Sequence, residues 1–309
     1  MEKIAIFFNP GSGRGRAAGK RPLLEKALRR YGIGYELFVS RDEADLRRLI
    51  RSAGPRFRIL TAAGGDSTLL ILVNEMLKNG LDGSLGLIGL GSCNDLAREL
   101  GIESLEKACH ALRSQRRRWL DVGTVNRDRG GVIHYFPGQA SLGLGVWINQ
   151  TIEELIGEHP LLKRFQTLSG VLAGRRLARR GRIALPLTIE WEGGKTDGDF
   201  SLALFSNIRF YASGRMAVPT ARIDDGLLDA LLISASPFGR LLRLSRLAVS
   251  GRHVKRPEVR LVQSPCFQVR AEQDFVIQVD GEMLAKYVGP EPFRQVTMAC
   301  LPRALPVIC

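Results

Sequence analysis

Three glycine-rich segments of the sequence combine small residues with hydroxyl, amide and carboxylate side chains. They are Asn9–Gly15 (NPGSGRG), Ala63–Thr68 (AGGDST) and Gly89–Arg98 (GLGSCNDLAR). Each directly follows a short apolar run, where a strand-to-helix turn is expected. Glycines in such turns allow backbone N–H groups to approach a phosphate closely, and hydroxyl groups add further donors. The three segments therefore predict a site for a phosphorylated ligand.

The first two turns place charged side chains beside these glycines. Arg14 and Arg16 can neutralise a phosphate at the first turn, although this turn lacks the ending of a P-loop, and a turn without a ligand is the alternative. In the second turn, Ser67 and Thr68 can donate to phosphate oxygens, and Asp66 can hold a metal ion or its water. Alternatively, Asp66 only caps the following helix. The glycine pair is more than a cap requires, which favours a nucleotide site.

The third turn repeats the pattern with other polar residues. Ser92 is free to contact a phosphate, whereas Asn94 or Asp95 has the alternative role of N-cap of the next helix. The five cysteines are scattered without a CxxC pair, and the four histidines lack metal-ligand spacing. Neither a zinc site nor a disulfide framework is expected, and the cysteine content fits a reducing cytosol.

The composition indicates a folded, basic protein with an anionic partner. Hydrophobic residues make up 45% of the chain, and 45 basic residues outnumber 31 acidic ones to give a formal charge of +14. Such an excess fits nucleic acid, an acidic membrane surface or a phosphorylated substrate. No apolar run approaches the about 20 residues of a membrane helix, and Ile4–Phe8 is too short for a signal peptide. Any membrane contact is therefore expected to be peripheral.

The elements that must position the three turns alternate between strands and helices. Strands are predicted at Ile4–Phe8, Tyr35–Val39, Arg58–Ala62 and Leu85–Leu90, and helices at Leu23–Tyr31, Glu43–Ala53, Thr68–Lys78 and Asn94–Leu100. This alternation predicts an α/β fold with a doubly wound, parallel sheet. Ligands of such sheets bind where strands end and glycine-rich turns begin.

From about Asp121 the pattern changes to short strands broken by turns. They are predicted at Val132–Phe136, Leu185–Trp191, Ser201–Ser206, Leu228–Ile233, Val259–Val262 and Phe275–Val279, with helices near Leu161–Arg180 and Pro237–Ser250. This pattern is typical of a mostly antiparallel, β-rich second domain. We therefore divide the chain into a nucleotide-binding domain at 1–125 and a second, β-rich domain at 126–309, whose last residues are candidates to return to the first domain.

Five motifs in this order resemble the diacylglycerol kinase catalytic family of lipid kinases. They are the three glycine-rich turns, the segment Ile223–Asp229 (IDDGLLD) preceded by GRMAVP at 214–219, and Val279–Glu282 (VDGE). A GGDxT segment alone is weak evidence, because NAD kinases have a similar one. The resemblance covers nearly the whole chain and implies a soluble, two-domain kinase in which residues 126–309 form the lipid-substrate domain.

The resemblance also implies roles for individual residues. It places nucleotide contacts at Asn9, Ser12, Ser40, Gly64, Gly65, Asp66, Ser67, Thr68 and Ser92, to which we add Arg16 and Asn94 from the same turns. It makes Glu282 the proton acceptor, with Asp280 as a second candidate. It places Mg²⁺ near Asp225, with the backbone carbonyls of Arg222 and Leu227 as further ligands. An Asp-Gly hairpin turn is the alternative for Asp225.

The chain departs from the family pattern at several positions of these turns. Ser67 stands where the family usually has glycine, Leu70 where asparagine is common, and Ser92, Cys93 and Leu96 replace residues of the usual GTGNDFA. Ser92 keeps a hydroxyl group. Ser67 is more serious, because it adds a side chain where backbone and phosphate are expected to meet. If its φ is positive, the steric cost is about 1–2 kcal/mol.

Basic residues are concentrated in one amphipathic stretch of the second domain. These are Arg175, Arg176, Arg179, Arg180 and Arg182, within a stretch that also carries Leu161, Leu162, Phe165 and Leu168. Such a helix can rest on anionic lipid, and the alternative is a helix with a solvated basic face. A second basic run, Arg116–Arg118, is predicted as a solvated helix end.

These observations together predict an ATP- and Mg²⁺-dependent kinase for a lipid hydroxyl, with diacylglycerol as the default substrate. The expected partners are the lipid and an anionic membrane surface, with the protein in the cytoplasm and in peripheral contact with the inner membrane face. No nucleic-acid partner is expected, and a homo-oligomer stays open. The alternatives are a kinase for a sphingoid base or NAD, and a degenerate lipid or nucleotide sensor that transfers no phosphate.

Overall fold

The structure is a computed structural model that describes residues 3–127, 131–159, 161–162, 166–181 and 183–309. Its first part contains four parallel strands, β1 (Ile4–Phe8), β2 (Tyr35–Val39), β3 (Ile59–Gly64) and β4 (Ser84–Gly89). The helices are α1 (Arg16–Arg30), α2 (Glu43–Ala53), α3 (Asp66–Lys78), α4 (Asp95–Glu99) and α5 (Leu105–Ser114), with a 3₁₀ turn at Gly54–Arg56.

The order of these strands brings the glycine-rich turns together. Because β1 and β3 are wholly buried, they read as continuous apolar or small-residue runs, as expected for a covered parallel sheet. The strands lie in the order β2-β1-β3-β4, with Phe8 paired to Ala63 and Gly64 paired to Gly89. The carboxyl ends of β1, β3 and β4 are thus adjacent, and the three turns leave the sheet side by side.

The second part of the chain is rich in antiparallel strands. They are β5 (Arg117–Arg127), β6 (Val132–Phe136), β7 (Gln139–Gly143), β8 (Leu185–Trp191), β9 (Gly194–Ser206), β10 (Phe210–Tyr211), β11 (Arg215–Met216), β12 (Leu228–Ser234), β13 (Val259–Ser264), β14 (Cys266–Phe275), β15 (Gln278–Val279), β16 (Glu282–Met283) and β17 (Phe293–Ile308). The helices are α6 (Leu144–Glu158), α7 (Gln166–Arg179), α8 (Phe238–Leu247) and α9 (Ala285–Val288), and 3₁₀ turns lie at Ala248–Ser250 and Arg252–Lys255.

The two parts are joined by their longest strand. β17 pairs antiparallel with β5 and β14, and its end, at Val307, pairs in parallel with Leu85 of β4. Separate buried clusters fill the two parts, one around Phe7 and Leu60 and the other around Phe205 and Phe267. The α/β fold class with a β-rich second part is confirmed, whereas the boundary near residue 125 stays a prediction.

Several predicted elements differ from the observed ones. Arg116–Arg118 does not end a helix, because Gln115 adopts a left-handed conformation (φ 53°) that ends α5, and β5 begins at Arg117. α6 was not predicted at all. The helix predicted at Leu161–Arg180 is observed over Gln166–Arg179, and Phe165 and Arg182 lie outside the described residues. Among the described helices, none is long and apolar enough to cross a bilayer.

Candidate active site

Hydrogen bonds between side chains hold the first two turns against each other. Asn9 Nδ2 donates to Thr68 Oγ1 at 3.1 Å, and the hydroxyl groups of Ser12 and Thr68 lie 3.2 Å apart. Ser12 Oγ also accepts from the backbone N–H of Gly65 at 3.2 Å. Thr68 is fully buried and Ser12 nearly so. The structure thus brings these predicted nucleotide contacts together, with their polar atoms engaged in fixing the shape of the two turns.

The glycines of the second and third turns leave no room for a side chain, because the Thr68 side chain lies close to Gly64 and the Gly65 backbone lies close to Gly91. A Cβ atom at Gly64 would lie 2.3 Å from Thr68 Oγ1, and one at Gly91 would lie 2.5 Å from the Cα of Gly65. The backbone N–H groups of Leu90 and Gly91 donate to the Gly64 carbonyl at 2.7 and 3.1 Å. Side chains at Gly64 or Gly91 would push the turns apart, which explains the choice of glycine.

Asp66 connects the second turn to the third. Its Oδ2 accepts from the backbone N–H of Asn94 at 2.9 Å, and its Oδ1 accepts from that of Asp95 at 3.2 Å. Asn94 has φ 53°, which aims the start of α4 at this carboxylate. Burial and the neighbouring Asp95 raise the pKa of Asp66 to about 6. Asp66 therefore caps a helix, although not the helix that follows it in sequence, as the simpler interpretation supposed.

The remaining predicted nucleotide contacts have diverse surroundings. Ser40, after β2, donates through its hydroxyl group to the carbonyl of Phe8 at 3.3 Å. Arg16, at the start of α1, is exposed and donates through Nε to the Gly13 carbonyl at 3.0 Å. Ser92 is exposed in the third turn. Ser40 thus supports the end of β1, while Arg16 and Ser92 lie at the surface.

Ser67 is the second residue of α3 and has the right-handed backbone of that helix. The condition for a steric cost at Ser67, a positive φ, is therefore not met. The physical reason is that α3 already begins at Asp66, so that the glycine pair alone makes the turn. Ser67 is half-buried and carries no backbone strain.

The segment that carries Asp280 and Glu282 is a hairpin and not a continuous strand. Asp280 (φ 44°) and Gly281 (φ 86°) form the two-residue turn between β15 and β16, an Asp-Gly pair suited to positive φ. The Asp280 carboxylate is partly buried and accepts from the backbone N–H groups of Gln139 at 2.8 Å and Gly138 at 3.4 Å. Asp280 and Glu282 therefore do not lie on one face of a common strand, because Asp280 is in the turn and Glu282 follows it.

Burial and the carboxylates of Asp66 and Asp95 raise the pKa of Asp280 to about 7. Burial has the largest effect, and the hydrogen bonds from Gln139 and Gly138 oppose it. The electrostatic effect of Asp66 and Asp95 shows that the hairpin faces the second and third turns.

Glu282 is held at the junction of the two parts of the chain. Lys286 Nζ, one helical turn further on, pairs with Glu282 Oε2 at 3.1 Å and also with Glu43 at the start of α2. Tyr287 packs beside this ion pair, with its ring stacked on that of His134 at a centroid distance of 4.7 Å. Lys286 was missed by the sequence analysis, although its i, i+4 spacing from Glu282 was visible.

Asp95 links the third turn to the second part of the chain. It is buried, accepts from Arg98 Nη1 at 2.8 Å, and accepts from the backbone N–H of Ser213 at 3.3 Å. Ser213 lies between β10 and β11 and also has its hydroxyl group 3.0 Å from Cys93 Sγ. From the sequence, Asp95 is a candidate only for an N-cap, because its contact with the distant Ser213 cannot be read from local spacing.

The predicted magnesium segment lies where β5 and β17 meet. Asp225 Oδ1 accepts from the Leu227 backbone N–H at 3.1 Å, and the buried Asp121 accepts from those of Gly226 and Arg303, both at 2.6 Å. Burial and the nearby Asp121 raise the pKa of Asp225. Within the described residues, no three His, Cys, Asp or Glu side chains form a metal cluster.

The donor groups of the Asp225 segment are those that a hard cation prefers. Asp225 is a partly buried carboxylate whose negative charge is disfavoured by its surroundings, so a cation there would offset that cost. A single carboxylate with backbone carbonyls is an all-oxygen donor set, which suits Mg²⁺ or Ca²⁺ and not a softer metal. The residues therefore fit a hard divalent cation.

Both parts of the chain match domain families of known sequences. The diacylglycerol kinase catalytic domain matches residues 3–125, and the YegS C-terminal NAD kinase beta sandwich-like domain matches residues 167–309. A Pseudomonas aeruginosa protein named "Probable lipid kinase YegS-like" is 30% identical over 278 residues, covering 87% of this chain and 86% of that protein. The chain belongs to the diacylglycerol kinase family of lipid kinases. It is a phosphotransferase.

Further relatives agree with this assignment. The diacylglycerol kinase of Bacillus subtilis is 26% identical over 293 residues, covering 91% of this chain and 90% of that enzyme. The crystal structure of a diacylglycerol kinase from Bacillus anthracis superposes with a TM-score of 0.70 at 15% identity, covering 99% and 96% of the two chains. At 15% sequence identity, this structural similarity is evidence that the two chains share a fold. All three glycine-rich turns fall within the matched catalytic domain, and the Asp280–Glu282 hairpin falls within the second.

Proposed function

We propose that this lipid kinase transfers the γ-phosphoryl group of ATP to the hydroxyl of diacylglycerol or a related lipid, at the surface of an anionic membrane. One observation carries the proposal. Glu282, from the second part of the chain, is tied through Lys286 to Glu43 of the first part. A carboxylate thus stands at the junction with the domain that carries the phosphate-binding turns. The names of the bacterial relatives support a lipid as acceptor.

ATP is assigned to the three glycine-rich turns. Their backbone N–H groups and the hydroxyl groups of Ser67 and Ser92 supply donors for phosphate oxygens, and Arg16 supplies positive charge at the surface. Asn9 and Thr68 contribute by holding the turns in place. The remaining nucleotide residues support this frame: Ser12, Ser40, Gly64, Gly65, Asp66 and Asn94.

Glu282 serves as the general base. It accepts the proton of the lipid hydroxyl while the hydroxyl oxygen forms a bond to the γ-phosphorus and the bond to the bridging oxygen of ADP breaks. Lys286 positions the Glu282 carboxylate through their ion pair. Asp280 orients the hairpin through its bonds to Gln139 and Gly138, so we assign it a positioning role.

Mg²⁺ is assigned to Asp225 and the backbone carbonyls of Arg222 and Leu227. A bound cation would offset the unfavourable charge of Asp225 beside Asp121. Asp121 accepts from the backbone N–H groups of both Gly226 and Arg303, and its carboxylate therefore joins the DDGLLD segment to β17. We assign the kinase to the cytoplasm, in peripheral contact with the inner membrane face.

The test is a transfer assay with γ-labelled ATP, Mg²⁺ and a total lipid extract, followed by identification of the labelled product. The expected product is phosphatidic acid, and its yield should rise when diacylglycerol is added. Sphingosine and NAD are tested in parallel, and the Glu282→Gln variant is the inactive control. Labelling of NAD alone would contradict the proposal. ATP binding without transfer to any acceptor would show that the protein is a sensor.

A further inference from the structure

One long acid-free stretch of the second part of the chain is strongly basic. No Asp or Glu occurs between Asp229 and Glu258. The interval contains six basic residues, which are Arg240, Arg243, Arg246, Arg252, Lys255 and Arg256. We call these six residues, together with Val249, the basic ridge. A one-sided charge of this kind on a folded domain points to an anionic partner.

The fold places the ridge residues on the surface at regular intervals. Positions 240, 243, 246, 249, 252 and 255 are three residues apart, and all are exposed, as is Arg256. They run along α8 and the 3₁₀ turns Ala248–Ser250 and Arg252–Lys255. Since residues three apart align in a 3₁₀ helix and are neighbours in an α-helix, these side chains form a continuous band. Leu241 and Leu244 face inward and anchor α8 in a buried cluster.

Most of the charge of the ridge is uncompensated. Arg240 pairs with Glu258 at 3.2 Å, and Arg252 donates to Ser250 Oγ. In the described part of the chain, the other four basic residues form no ion pair: Arg243, Arg246, Lys255 and Arg256. Four neighbouring cations without acidic partners leave a positive potential that an anionic surface can occupy.

The arginines of α7, which the sequence analysis favoured as the membrane contact, are different. Arg176 forms two bonds to Glu158, at 2.7 and 2.9 Å, and Arg180 pairs with Glu154 at 3.5 Å. These acids lie on the neighbouring α6. Half of the described α7 cluster is therefore neutralised within the protein, which leaves the ridge as the stronger anion-binding surface.

Exposed apolar side chains favour a lipid surface over nucleic acid. Val249 is 63% exposed in the middle of the ridge, and Leu168 on the adjoining α7 is 49% exposed. α7 and α8 pack closely, because a Cβ at Gly174 would lie 2.2 Å from the Phe238 ring. That contact occupies Phe238, the aromatic residue of the interval, whereas binding of single-stranded nucleic acid relies on exposed aromatic side chains.

The ridge is also continuous with the candidate active site. Gly251, in its middle, packs on Met216 and Pro219, since a Cβ there would lie 3.3 Å from Met216 Sδ and 2.9 Å from Pro219 Cγ. His253 Nε2 is 2.8 Å from the Ala217 carbonyl. Met216, Ala217 and Pro219 follow closely after Ser213, whose backbone N–H donates to Asp95 of the third turn. A membrane on the ridge would thus lie close to the entrance between the two parts.

We propose that the basic ridge is the surface by which this kinase rests on anionic lipid headgroups. The proposal rests on the proposed lipid kinase function, for which it names the docking face. Because the apolar side of α8 is buried in the protein, the contact is mainly electrostatic, reversible and sensitive to salt. Val249 adds a small apolar contact at the headgroup level.

The experiment is co-sedimentation of the full chain with vesicles of phosphatidylcholine containing 40% phosphatidylglycerol, against vesicles of phosphatidylcholine alone. The ridge variant carries Gln at the four unpaired positions: Arg243, Arg246, Lys255 and Arg256. Each basic residue near such a surface contributes about fivefold to partitioning, so the variant, which lacks four of them, should bind roughly 600-fold more weakly. The matched control removes four exposed charges that lie outside the ridge and should bind like wild type: Lys26, Arg30, Arg116 and Arg117 to Gln.

A second measurement separates failure of the ridge from failure of the kinase function. Transfer to dioctanoylglycerol in detergent micelles requires no vesicle docking, so the ridge variant should keep wild-type turnover there. Equal loss of vesicle binding in both variants would overturn the proposal, since only net charge would matter. Ridge-dependent binding to single-stranded RNA but not to the vesicles would overturn it in favour of nucleic acid. Ridge-dependent vesicle binding without transfer in micelles would refute the kinase function alone.

Discussion

Asp280 and Glu282 show how two neighbouring acids acquire different roles. Asp280 lies in a tight turn with its carboxylate partly buried against two backbone N–H groups, whereas Glu282 follows the turn and pairs with Lys286. Of the two, Glu282 is the one that shares an ion-pair partner, Lys286, with an acid of the first part of the chain, Glu43. We therefore assign proton transfer to Glu282 and structural support to Asp280.

The Glu282→Gln variant should lose turnover while keeping its affinity for ATP. Glutamine preserves size and hydrogen bonding but cannot accept the proton, and general-base catalysis typically contributes roughly 10²–10⁴-fold. Asp280→Asn is the matched control, because Asn tolerates a positive φ and keeps an acceptor for Gln139. The measurement is kcat and the KM for ATP of both variants. An inactive Asp280→Asn beside an active Glu282→Gln would exchange the two assignments.

The Ser67→Gly variant should lower kcat/KM for ATP. Since Ser67 is helical, glycine relieves no strain there, and it removes a hydroxyl donor next to the phosphate turn. Glycine within a helix also costs about 1 kcal/mol of stability. Ser52→Gly in the exposed part of α2 is the control for that helix effect and should not change kcat/KM. A rise in kcat/KM in Ser67→Gly would indicate that the serine impairs this kinase.

At the scale of elements, the active site depends on contacts between turns that are distant in sequence. The second turn reaches the first through Thr68 and Asn9, 59 residues apart, and the third through Asp66 and Asn94, 28 residues apart. The short helix α4 consequently begins at a carboxylate supplied by another element. Helix-capping rules applied along the chain assign such residues to the wrong helix.

The Asp66→Ala variant should be folded but inactive as a kinase. It removes the acceptor for the first two N–H groups of α4, so α4 and the third turn lose their fixed position, at a stability cost of about 1–2 kcal/mol. Asp42→Ala is the control: Asp42 accepts from the Asp45 N–H at 2.8 Å as the N-cap of α2. Both variants should show similar losses in urea denaturation, and only Asp66→Ala should lose transfer. Full activity in a folded Asp66→Ala would remove this residue from the site.

For the whole molecule, the junction between the two parts carries an electrostatic cost. Asp66, with a pKa of about 6, and Asp280, with a pKa of about 7, are both partly buried there beside Asp95. Their unfolded pKa is about 3.8. Because these pKa values are raised in the folded protein, protonation of Asp66 and Asp280 stabilises the fold. This stabilisation is fully present below the unfolded pKa and is lost as the pH rises through the folded pKa values of about 6 and 7. Asp280→Asn should therefore gain stability relative to wild type between pH 4 and 7.5, measured by thermal unfolding at each pH. A constant difference would contradict the raised pKa.

The anchoring of β17 should depend on a divalent cation at Asp225. Mg²⁺ should raise the melting temperature of wild type, and Asp225→Asn should remove most of that increase, because the carboxylate ligand is lost. Asp224→Asn is the adjacent control: Asp224 pairs with Arg118 at 3.0 Å and should leave the effect of Mg²⁺ intact. An equal response to Mg²⁺ in all three proteins would place the cation elsewhere. The readout is thermal unfolding, which needs no activity.

The sequence by itself determined the local elements and the positions of the turns. β1, β2 and α2 lie where periodicity predicted them, because apolar spacing and an Asp cap act over a few residues. The glycines and the VDGE segment were likewise visible in the sequence, and they carried the resemblance to lipid kinases.

Only the tertiary structure decided which polar groups meet. The capping of α4 by Asp66, the bridge from Glu282 through Lys286 to Glu43, and the bond from Asp95 to Ser213 join residues that are 28 to 243 positions apart. It also decided that Arg176 and Arg180 are paired with acids of α6, while in the described part of the chain Arg240 alone of the ridge residues forms an ion pair. The physical reason is that local patterning depends on near neighbours, whereas charge pairing and burial depend on how the sheet brings separate segments together.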